Sequence, residues 1–374
     1  MIAKSNFSES GVLKRNYYFN LDTIRCVAAF MVVGFHWIPS KMGAFPFAKL
    51  GVDIFFVLSG FLISEILFKN NQETGDNRSL KRHAIKVFYI KRSLRIFPIY
   101  YLLVCLFFIL NQPPIGGNWI YLFSYTTNFL LYHKKEWIYP LSHLWSLSVE
   151  EQFYIIWPFF IFFIKRKWHL YLILLTLIFS LVFIIFDSPR NYFFFVLPFS
   201  CMSSLATGAL LAYLKTQREH LFYRFAPYSL PVLFLTGLVL IFSSRFSFIV
   251  QHIVIAIMAF ALITYAVTCR NRTVNKIFSN PVTSYLGKIS YGIYLYHNTI
   301  PWLVRSLNGT ETATVRNFPV LLPAFKNGYA ILVENLLFLL IVSSVSWFLI
   351  ERPVNKLKAR FSKKEATAFS YASP

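Results

Sequence analysis

The sequence predicts an all-α, polytopic integral membrane protein with about ten transmembrane helices and both termini in the cytoplasm. Of its 374 residues, 56% are hydrophobic and only 14% are charged. Apolar runs of about twenty residues recur along the chain, which is the length that a helix needs to cross a bilayer. The run 168–187 has no polar face, so it suits lipid better than a soluble core. The strands of a membrane barrel would alternate instead, which excludes that class.

The predicted spans follow one another from the N-terminus. A polar, basic segment precedes the first span and carries no cleavage site, so we expect this span to be retained. The basic loop 70–94 separates the second and third spans, and the tail 354–374 is basic as well. We expect a single membrane domain over 1–374, with its core at 22–353 and no appended soluble domain. The spans are 22–40, 50–69, 95–111, 145–164, 168–187, 193–214, 228–243, 247–268, 284–304 and 329–350.

The distribution of the 37 lysines and arginines orients these spans. With the N-terminus inside, most of these residues fall in cytoplasmic segments, as the positive-inside rule requires. Counting 118–133 as an eleventh crossing would divide them almost evenly between the two sides. We therefore interpret 118–133 as a re-entrant or interfacial segment on the outer side. Because the net charge of +22 follows topology, nucleic acid is not expected as a partner.

Two ionisable residues lie inside the first span. Arg25 and His36 are eleven residues apart, so a helix of 3.6 residues per turn returns them nearly to the same face. They are separated along the helix axis by about 16 Å at 1.5 Å per residue. Ionisable groups at this depth in a membrane are functional candidates by default.

The second span adds polar residues that have two interpretations. Asp53 lies at a depth similar to that of His36, and a carboxylate beside an imidazole is a candidate general base. Alternatively, the two residues form a polar pair that only packs two helices. Arg25 lies level with Glu65, so a structural ion pair is the alternative for this arginine. For Gly60, close helix packing explains a lone glycine as well as ligand access does.

An arginine pair precedes the third span. Arg92 and Arg95 are three residues apart, so neighbouring helical turns present both guanidiniums to one place at the cytoplasmic entrance. Forked guanidiniums suit the binding of phosphates. The alternatives are that the pair sets membrane topology or binds lipid headgroups.

The segment 142–158, SHLWSLSVEEQFYIIWP, brings polar residues into the membrane from the outer face. We expect His143, Glu150, Glu151 and Gln152 at the depth of the histidine in the first span. Two adjacent carboxylates are costly in an apolar stretch, so Glu150 or its neighbour should face a polar cavity. Anchoring at the interface explains Trp145, but it does not explain Glu150.

The ninth span adds Tyr291, Tyr294 and His297. A histidine that only packs between helices is the default interpretation there. The four cysteines have no spacing typical of a metal site, and no metal is predicted.

Taken together, these motifs resemble the acyltransferase-3 family of integral membrane O-acyltransferases, of the type that acetylates polysaccharides or O-antigen. In chain order they are the Arg25 to His36 spacing, GVDIFFVLSGFLIS, the Arg92 and Arg95 pair, WSLSVEEQFY, ISYGIYLYH and FLIERP. Each motif is weak alone, but their order along 22–353 makes the combination specific.

The resemblance implies an enzyme of the inner (plasma) membrane. It would move an acyl group, most often acetyl, from cytoplasmic acyl-coenzyme A to a hydroxyl of an extracytoplasmic glycan or lipid-linked glycan, such as O-antigen or capsule. The expected catalytic residues are His36, Asp53 and Glu150, and the expected donor-binding residues are Arg25, Arg92 and Arg95. The expected substrate-binding residues are His143, Trp145, Ser146, Gln152, Tyr291 and His297, and Ser146, Gln152 and Tyr291 are candidate oxyanion donors.

The residues leave the mechanism and two other functions open. His36 acts either as a general base or as a transient carrier of the acyl group. A transporter is the main alternative function, in which histidine, aspartate and glutamate side chains relay protons. Against it stand the lack of an internal repeat and the arginine pair. A structural protein that binds anionic membrane lipid would leave His36 unexplained.

Overall fold

A computed structural model describes residues 19–38, 46–110, 117–242, 247–269, 271, 276, 280–307 and 328–357. The regular structure in these ranges is helical throughout, and no strand occurs in them. The predicted all-α class is therefore confirmed for this part of the chain. The helices are α1 (Phe19–Trp37), α2 (Phe47–Thr74), α3 (Arg78–Ile109), α4 (Trp119–Phe123), α5 (Thr127–Lys134), α6 (Leu144–Phe163), α7 (His169–Asp187), α8 (Pro198–Gln217), α9 (Glu219–Phe225), α10 (Ser229–Ile241), α11 (Phe248–Thr268), α12 (Pro281–Lys288), α13 (Ser290–Tyr296), α14 (Thr299–Leu307) and α15 (Gly328–Ser346), which a π-helical turn at Trp347–Glu351 extends.

Several helical stretches have the length and composition of membrane spans. Within the described ranges, the six that are long and apolar enough are Phe47–Thr74, Arg78–Ile109, Arg166–Asp187, Glu219–Ile241, Phe248–Thr268 and Leu332–Leu357. Helices α1, α6 and α8 have 19, 20 and 20 residues, but each carries buried polar side chains. The chain is thus a multi-pass membrane protein. The number of ten crossings and the side on which the termini lie stay predictions.

Helix α2 lies at the centre of the bundle, between α1 and α8. A Cβ atom added to Gly60 would lie 2.0 Å from the carbonyl oxygen of Leu205, and one added to Gly208 would lie 2.0 Å from that of Val57. Only glycine therefore permits the two backbones to come this close. For Gly60, the structure supports the helix-packing interpretation.

Contacts along the helices give their relative directions. Near the start of α2, Asp53 accepts a hydrogen bond from Ser204 of α8, and near its end Glu65 pairs with Lys215 of the same helix. Hence α2 and α8 run parallel. This agrees with their predicted order as the second and sixth spans, because alternate crossings run in the same direction.

The segment 118–133 forms two short helices rather than a crossing. Helices α4 and α5 have 5 and 8 residues, and Tyr125 turns the chain between them with a positive φ of 54°. The Tyr100 hydroxyl of α3 donates to the carbonyl oxygen of Leu122 at 2.8 Å, which fixes the segment against the bundle. Neither helix is long enough to cross a bilayer, so the eleventh crossing is excluded. A re-entrant or interfacial position stays a prediction.

The predicted span 284–304 was wrong as one continuous helix. It is divided into α12, α13 and α14, with breaks near Ile289 and at His297. Pro301 has no N–H group, so it cannot donate to the carbonyl oxygen of His297 four residues earlier. That carbonyl instead accepts a hydrogen bond from the Trp37 indole N–H at 3.0 Å. Interrupted helices survive in membranes when neighbouring side chains satisfy the freed backbone groups in this way.

Candidate active site

Three histidines from three helical segments form a row, which we call the histidine group: His36, His143 and His297. The ring centroids of His36 and His297 are 5.1 Å apart, and those of His297 and His143 are 4.8 Å apart. His36 is exposed, whereas the other two are buried. A molecule that reaches this group therefore meets His36 first.

Hydrogen bonds to backbone carbonyls fix the protons of the two buried rings. His297 Nδ1 lies 2.6 Å from the carbonyl oxygen of Tyr294, and His143 Nε2 lies 2.9 Å from that of Leu295. Because a carbonyl oxygen only accepts, each of these nitrogens carries the proton. In the neutral form, His297 Nε2 then carries an unprotonated lone pair. This atom is buried and has no hydrogen-bond partner among the described residues. The interpretation of His297 as a satisfied packing histidine was wrong for this atom.

Side chains around His143 hold the group in place. The hydroxyls of Ser146 and Tyr294 contact each other, and each also lies 3.2 Å from the carbonyl oxygen of His143. The Asn298 amide lies 3.4 Å from His143 Nδ1 and donates to it. Ser146 is thus engaged with Tyr294 and His143, and the structure gives no support to its assignment as an oxyanion donor.

Three arginines from α1 and α3 form a second group, the arginine group: Arg25, Arg92 and Arg95. Arg95 interacts electrostatically with both of the others, and its side chain is exposed. Arg25 binds Asp22 at 3.0 Å, one turn earlier in α1. The predicted alternative, an ion pair between Arg25 and Glu65, was wrong, because Glu65 instead binds the lysines at positions 69 and 215.

Glu150 belongs to the arginine group rather than to the histidines. Its Oε2 atom lies 3.8 Å from Arg92 and accepts a hydrogen bond from the Tyr154 hydroxyl at 2.8 Å, and Ser59 donates to Oε1. The Arg92 guanidinium also stacks 3.8 Å above the Tyr154 ring. Glu150 comes seven residues after His143, about 10 Å further along α6. Its predicted position at the depth of His36 was therefore wrong.

Asp53 lies in a separate network on the opposite side of α2. Its Oδ2 atom binds Lys49 at 2.7 Å and lies 3.4 Å from His252, and Oδ1 accepts from Ser204 at 2.9 Å. No described contact joins Asp53 to the first histidine. Gly51 is the residue that faces α1, and Asp53, two residues later, is rotated by about 200° from it. The predicted general-base pair of His36 and Asp53 was wrong.

The remaining predicted substrate residues are engaged elsewhere. Trp145 packs its ring between aromatic side chains. Gln152 forms a reciprocal amide pair with Asn128, with distances of 3.0 and 3.1 Å. The Tyr291 hydroxyl donates to the carbonyl oxygen of Ile96 at 3.1 Å. Gln152 and Tyr291 therefore stabilise the bundle, and the structure does not bring them to the histidine group.

Among the described residues, no three histidine, cysteine, aspartate or glutamate side chains are arranged to hold a metal ion.

The chain matches the family model described as an acyltransferase domain over residues 18–351, which is most of its length. The chain belongs to the acyltransferase-3 family. The resemblance drawn from the motifs is therefore confirmed.

Relatives of this acyltransferase-3 chain carry names that specify O-acetyl transfer. It is 35% identical over 171 residues to the peptidoglycan O-acetyltransferase OatA of Listeria monocytogenes. This aligned region covers 41% of this chain and 25% of OatA. It is 28% identical over 335 residues to a Staphylococcus aureus protein provisionally named an O-acetyltransferase, covering 78% of this chain and 52% of the relative. The chain thus spans about half or less of the length of these relatives. No solved structure matches it.

Two residues of the candidate site were not expected from the sequence. Asn298 donates to His143, and Trp37 binds the carbonyl oxygen of His297. Both residues directly follow a histidine that was singled out, Asn298 after His297 and Trp37 after His36. Pro301 was the available signal, because a proline near the start of a helical turn leaves a carbonyl free for such a partner.

Proposed function

We propose that this chain is a membrane-bound O-acetyltransferase that moves an acetyl group from acetyl-coenzyme A to a hydroxyl of an extracytoplasmic glycan or lipid-linked glycan. The observation that carries the proposal is that helix α1 has one member of the arginine group near its start and an exposed histidine near its end. Arg25 and His36 are about 16 Å apart along that helix. The family membership and the names of the relatives support the same activity.

The arginine group is the proposed anchor for the phosphates of coenzyme A. Three guanidiniums in one place repel one another, so a multivalent anion between them is favoured electrostatically. Arg92 is held by Glu150 and by the ring of Tyr154, which fixes its fork of donors before the ligand arrives. Arg95 is exposed and therefore available to the ligand. The basic segment 70–94, most of which is the first part of α3, supports a cytoplasmic position for this end of the site.

The distance between the two groups is the proposed path of the donor's arm. Coenzyme A carries its thioester at the end of a long pantetheine arm, away from its phosphates. With the phosphates at the arginine group, the arm would extend along α1 and place the thioester near His36. In this proposal, the separation of about 16 Å along the helix is the distance that the arm must span between the arginine group and His36.

His36 is the proposed reactive group. In one route, it takes the proton of the acceptor hydroxyl while the oxygen attacks the thioester carbon, the C–S bond breaks, and the leaving thiolate receives the proton. In the other route, an imidazole nitrogen first attacks the thioester carbon and the thiolate leaves, and the acetyl group then passes to the hydroxyl oxygen, whose proton goes to the thiolate. Both routes build positive charge on His36. The lone pair of the neighbouring His297 favours that charge electrostatically.

The proposed acceptor is a glycan of the cell envelope. The name of the Listeria relative specifies peptidoglycan as the acceptor of that protein. O-antigen and capsule have the same chemistry, a sugar hydroxyl outside the plasma membrane, and they are the other members of the proposed acceptor class. A proton-relay transporter is not retained, because the chain belongs to an acyltransferase family.

Mass spectrometry of cell-envelope glycans tests this function. Glycans from cells that lack the gene should lose a mass increment of one acetyl group on a defined sugar, and the wild-type gene should restore it. A gene carrying His36→Ala should not restore it, whereas one carrying His220→Ala, a change at an exposed histidine in α9, should. If no envelope glycan changes when the gene is removed, the proposed function is wrong.

A further inference from the structure

Glu151 is a buried carboxylate that neither group uses. Only 6% of the residue is exposed, and its Oε1 atom has no hydrogen-bond partner among the described residues. Besides Tyr154 of its own helix, it interacts electrostatically with four tyrosines from α3, the turn after α4, and α13, which are Tyr100, Tyr101, Tyr125 and Tyr291. The next residue after Glu151 donates its side-chain amide to the carbonyl oxygen of Tyr125 at 2.8 Å, and the Tyr125 ring lies 4.0 Å from the ring of Tyr100 and 5.8 Å from that of Tyr101. We call this region the tyrosine chamber.

The tyrosines do not satisfy Glu151. The hydroxyls of Tyr100, Tyr101 and Tyr291 each lie at hydrogen-bond distance from a backbone carbonyl oxygen, at 2.8, 3.0 and 3.1 Å. A phenol has one proton to donate, so these three hydroxyls have none left for the carboxylate. The Tyr125 hydroxyl is also buried without a partner. The chamber thus contains an unpaired acceptor and an unpaired donor, and buried polar groups are rarely left in this condition.

The chamber adjoins the proposed donor anchor. Arg92 interacts electrostatically with Glu151, and the Arg92 Nε atom is a third buried group without a hydrogen-bond partner. Glu150, the adjacent residue, already binds Arg92 as its counter-ion. A second carboxylate is therefore not needed to neutralise this arginine. The ligand that satisfies Glu151 must lie next to the arginine group and present a hydrogen-bond donor.

We propose that the tyrosine chamber binds the amide groups of the donor's pantetheine arm. Glu151 accepts a hydrogen bond from an amide N–H, and the Tyr125 hydroxyl donates to an amide carbonyl. The arm suits this chamber because it is uncharged, alternates amides with methylene groups that pack against rings, and begins at the phosphates. This inference rests on the proposed function, since it assumes that acetyl-coenzyme A is the donor.

Two donors and four variants test the proposal with the purified full chain in lipid nanodiscs. Acetyl-coenzyme A carries both phosphates and amides, whereas S-acetylpantetheine carries the amides without the nucleotide. Glu151→Leu should weaken binding of both donors by about tenfold, because the amide loses its acceptor. Tyr125→Phe should also weaken both donors. The double variant Arg92→Ala/Arg95→Ala should weaken acetyl-coenzyme A far more than S-acetylpantetheine.

Glu151→Gln separates hydrogen bonding from charge. Glutamine keeps an oxygen that accepts from an amide but removes the negative charge, so it should weaken binding several-fold less than leucine does. Equal losses for glutamine and leucine would overturn the proposal in favour of a counter-ion for Arg92. Unaltered donor binding in Glu151→Leu and Tyr125→Phe would also overturn it, and a raised KM for the glycan alone would place the acceptor sugar in the chamber. A wild-type chain that binds neither donor would instead contradict the proposed function.

Discussion

The imidazole rings of His36 and His297 lie with their centroids 5.1 Å apart, the first exposed and the second completely buried. The hydrogen bond from His297 Nδ1 to the carbonyl oxygen of Tyr294 leaves its Nε2 lone pair without a partner. This lone pair gives a negative partial charge beside His36. Such a charge stabilises the His36 imidazole if it becomes positive during the reaction. Thus His36 is accessible to a substrate, and His297 holds a lone pair in a fixed position.

Replacing His297 should lower turnover more than donor binding. In His297→Asn, the side-chain amide can still donate to the Tyr294 carbonyl oxygen, but the Nε2 lone pair is lost. We expect kcat to fall by about 100-fold, the lower range for acid–base groups, with the Kd for acetyl-coenzyme A nearly unaltered. Steady-state kinetics and direct donor binding measure the two quantities. An equal loss in both would mean that His297 only maintains the fold.

The arginine group should govern donor affinity. Arg92→Ala with Arg95→Ala removes two of the three guanidiniums, so the Kd for acetyl-coenzyme A should rise by at least about tenfold. Isothermal titration calorimetry with the purified chain measures this affinity. Arg218→Ala with Arg224→Ala removes the same charge from exposed positions around α9 and is the matched control. Equal affinity in both double variants would assign Arg92 and Arg95 to membrane topology.

Asp53 should matter for stability rather than for chemistry. Asp53→Ala leaves the buried His252 and the partly buried Lys49 without their carboxylate, which should cost about 3–5 kcal/mol of unfolding free energy. Thermal unfolding in detergent measures the loss, and Asp76→Ala is the control because its carboxylate is exposed. The folded fraction should keep its kcat. A large fall in kcat with unaltered stability would show instead that Asp53 is a catalytic residue.

Gly60 should be intolerant of any side chain. The Cβ atom of Gly60→Ala would lie 2.0 Å from the carbonyl oxygen of Leu205, so α2 and α8 must separate and the melting temperature should fall. Gly237→Ala is the matched control, because nothing lies within 4 Å of its added Cβ atom and alanine is the better helix former. A melting temperature that is the same in both variants would contradict the close packing.

Helical periodicity predicted what lies on a single helix. The eleven-residue spacing placed Arg25 and His36 on one face of α1, and in the structure they are members of the arginine group and the histidine group respectively. Arg92 and Arg95, three residues apart on α3, are likewise both part of the arginine group. These predictions needed only the rise and twist of a helix, which the chain obeys locally.

The sequence could not predict which neighbour a polar side chain faces. Asp53 and His36 were matched by depth, but depth says nothing about rotation around α2, and Asp53 points toward α8 and α11. Glu65 was matched to Arg25 by the same reasoning, with the same error. The break at His297 was also missed, because it depends on Pro301 and on a partner, Trp37, from a distant helix. Such pairings are decided by packing between helices.

Acetyl transfer by inside-out membrane vesicles tests the central proposal most directly. Vesicles from cells that produce the chain expose its cytoplasmic face to added acetyl-coenzyme A with a radiolabelled acetyl group, and they contain the native envelope glycans. We expect label on glycan with the wild-type chain and less than about 1% of it with His36→Ala, since loss of an acid–base group costs 100-fold or more. His220→Ala, produced at the same level, should match the wild type. Equal labelling with His36→Ala, or no labelling of glycan with the wild type, would contradict transfer at His36.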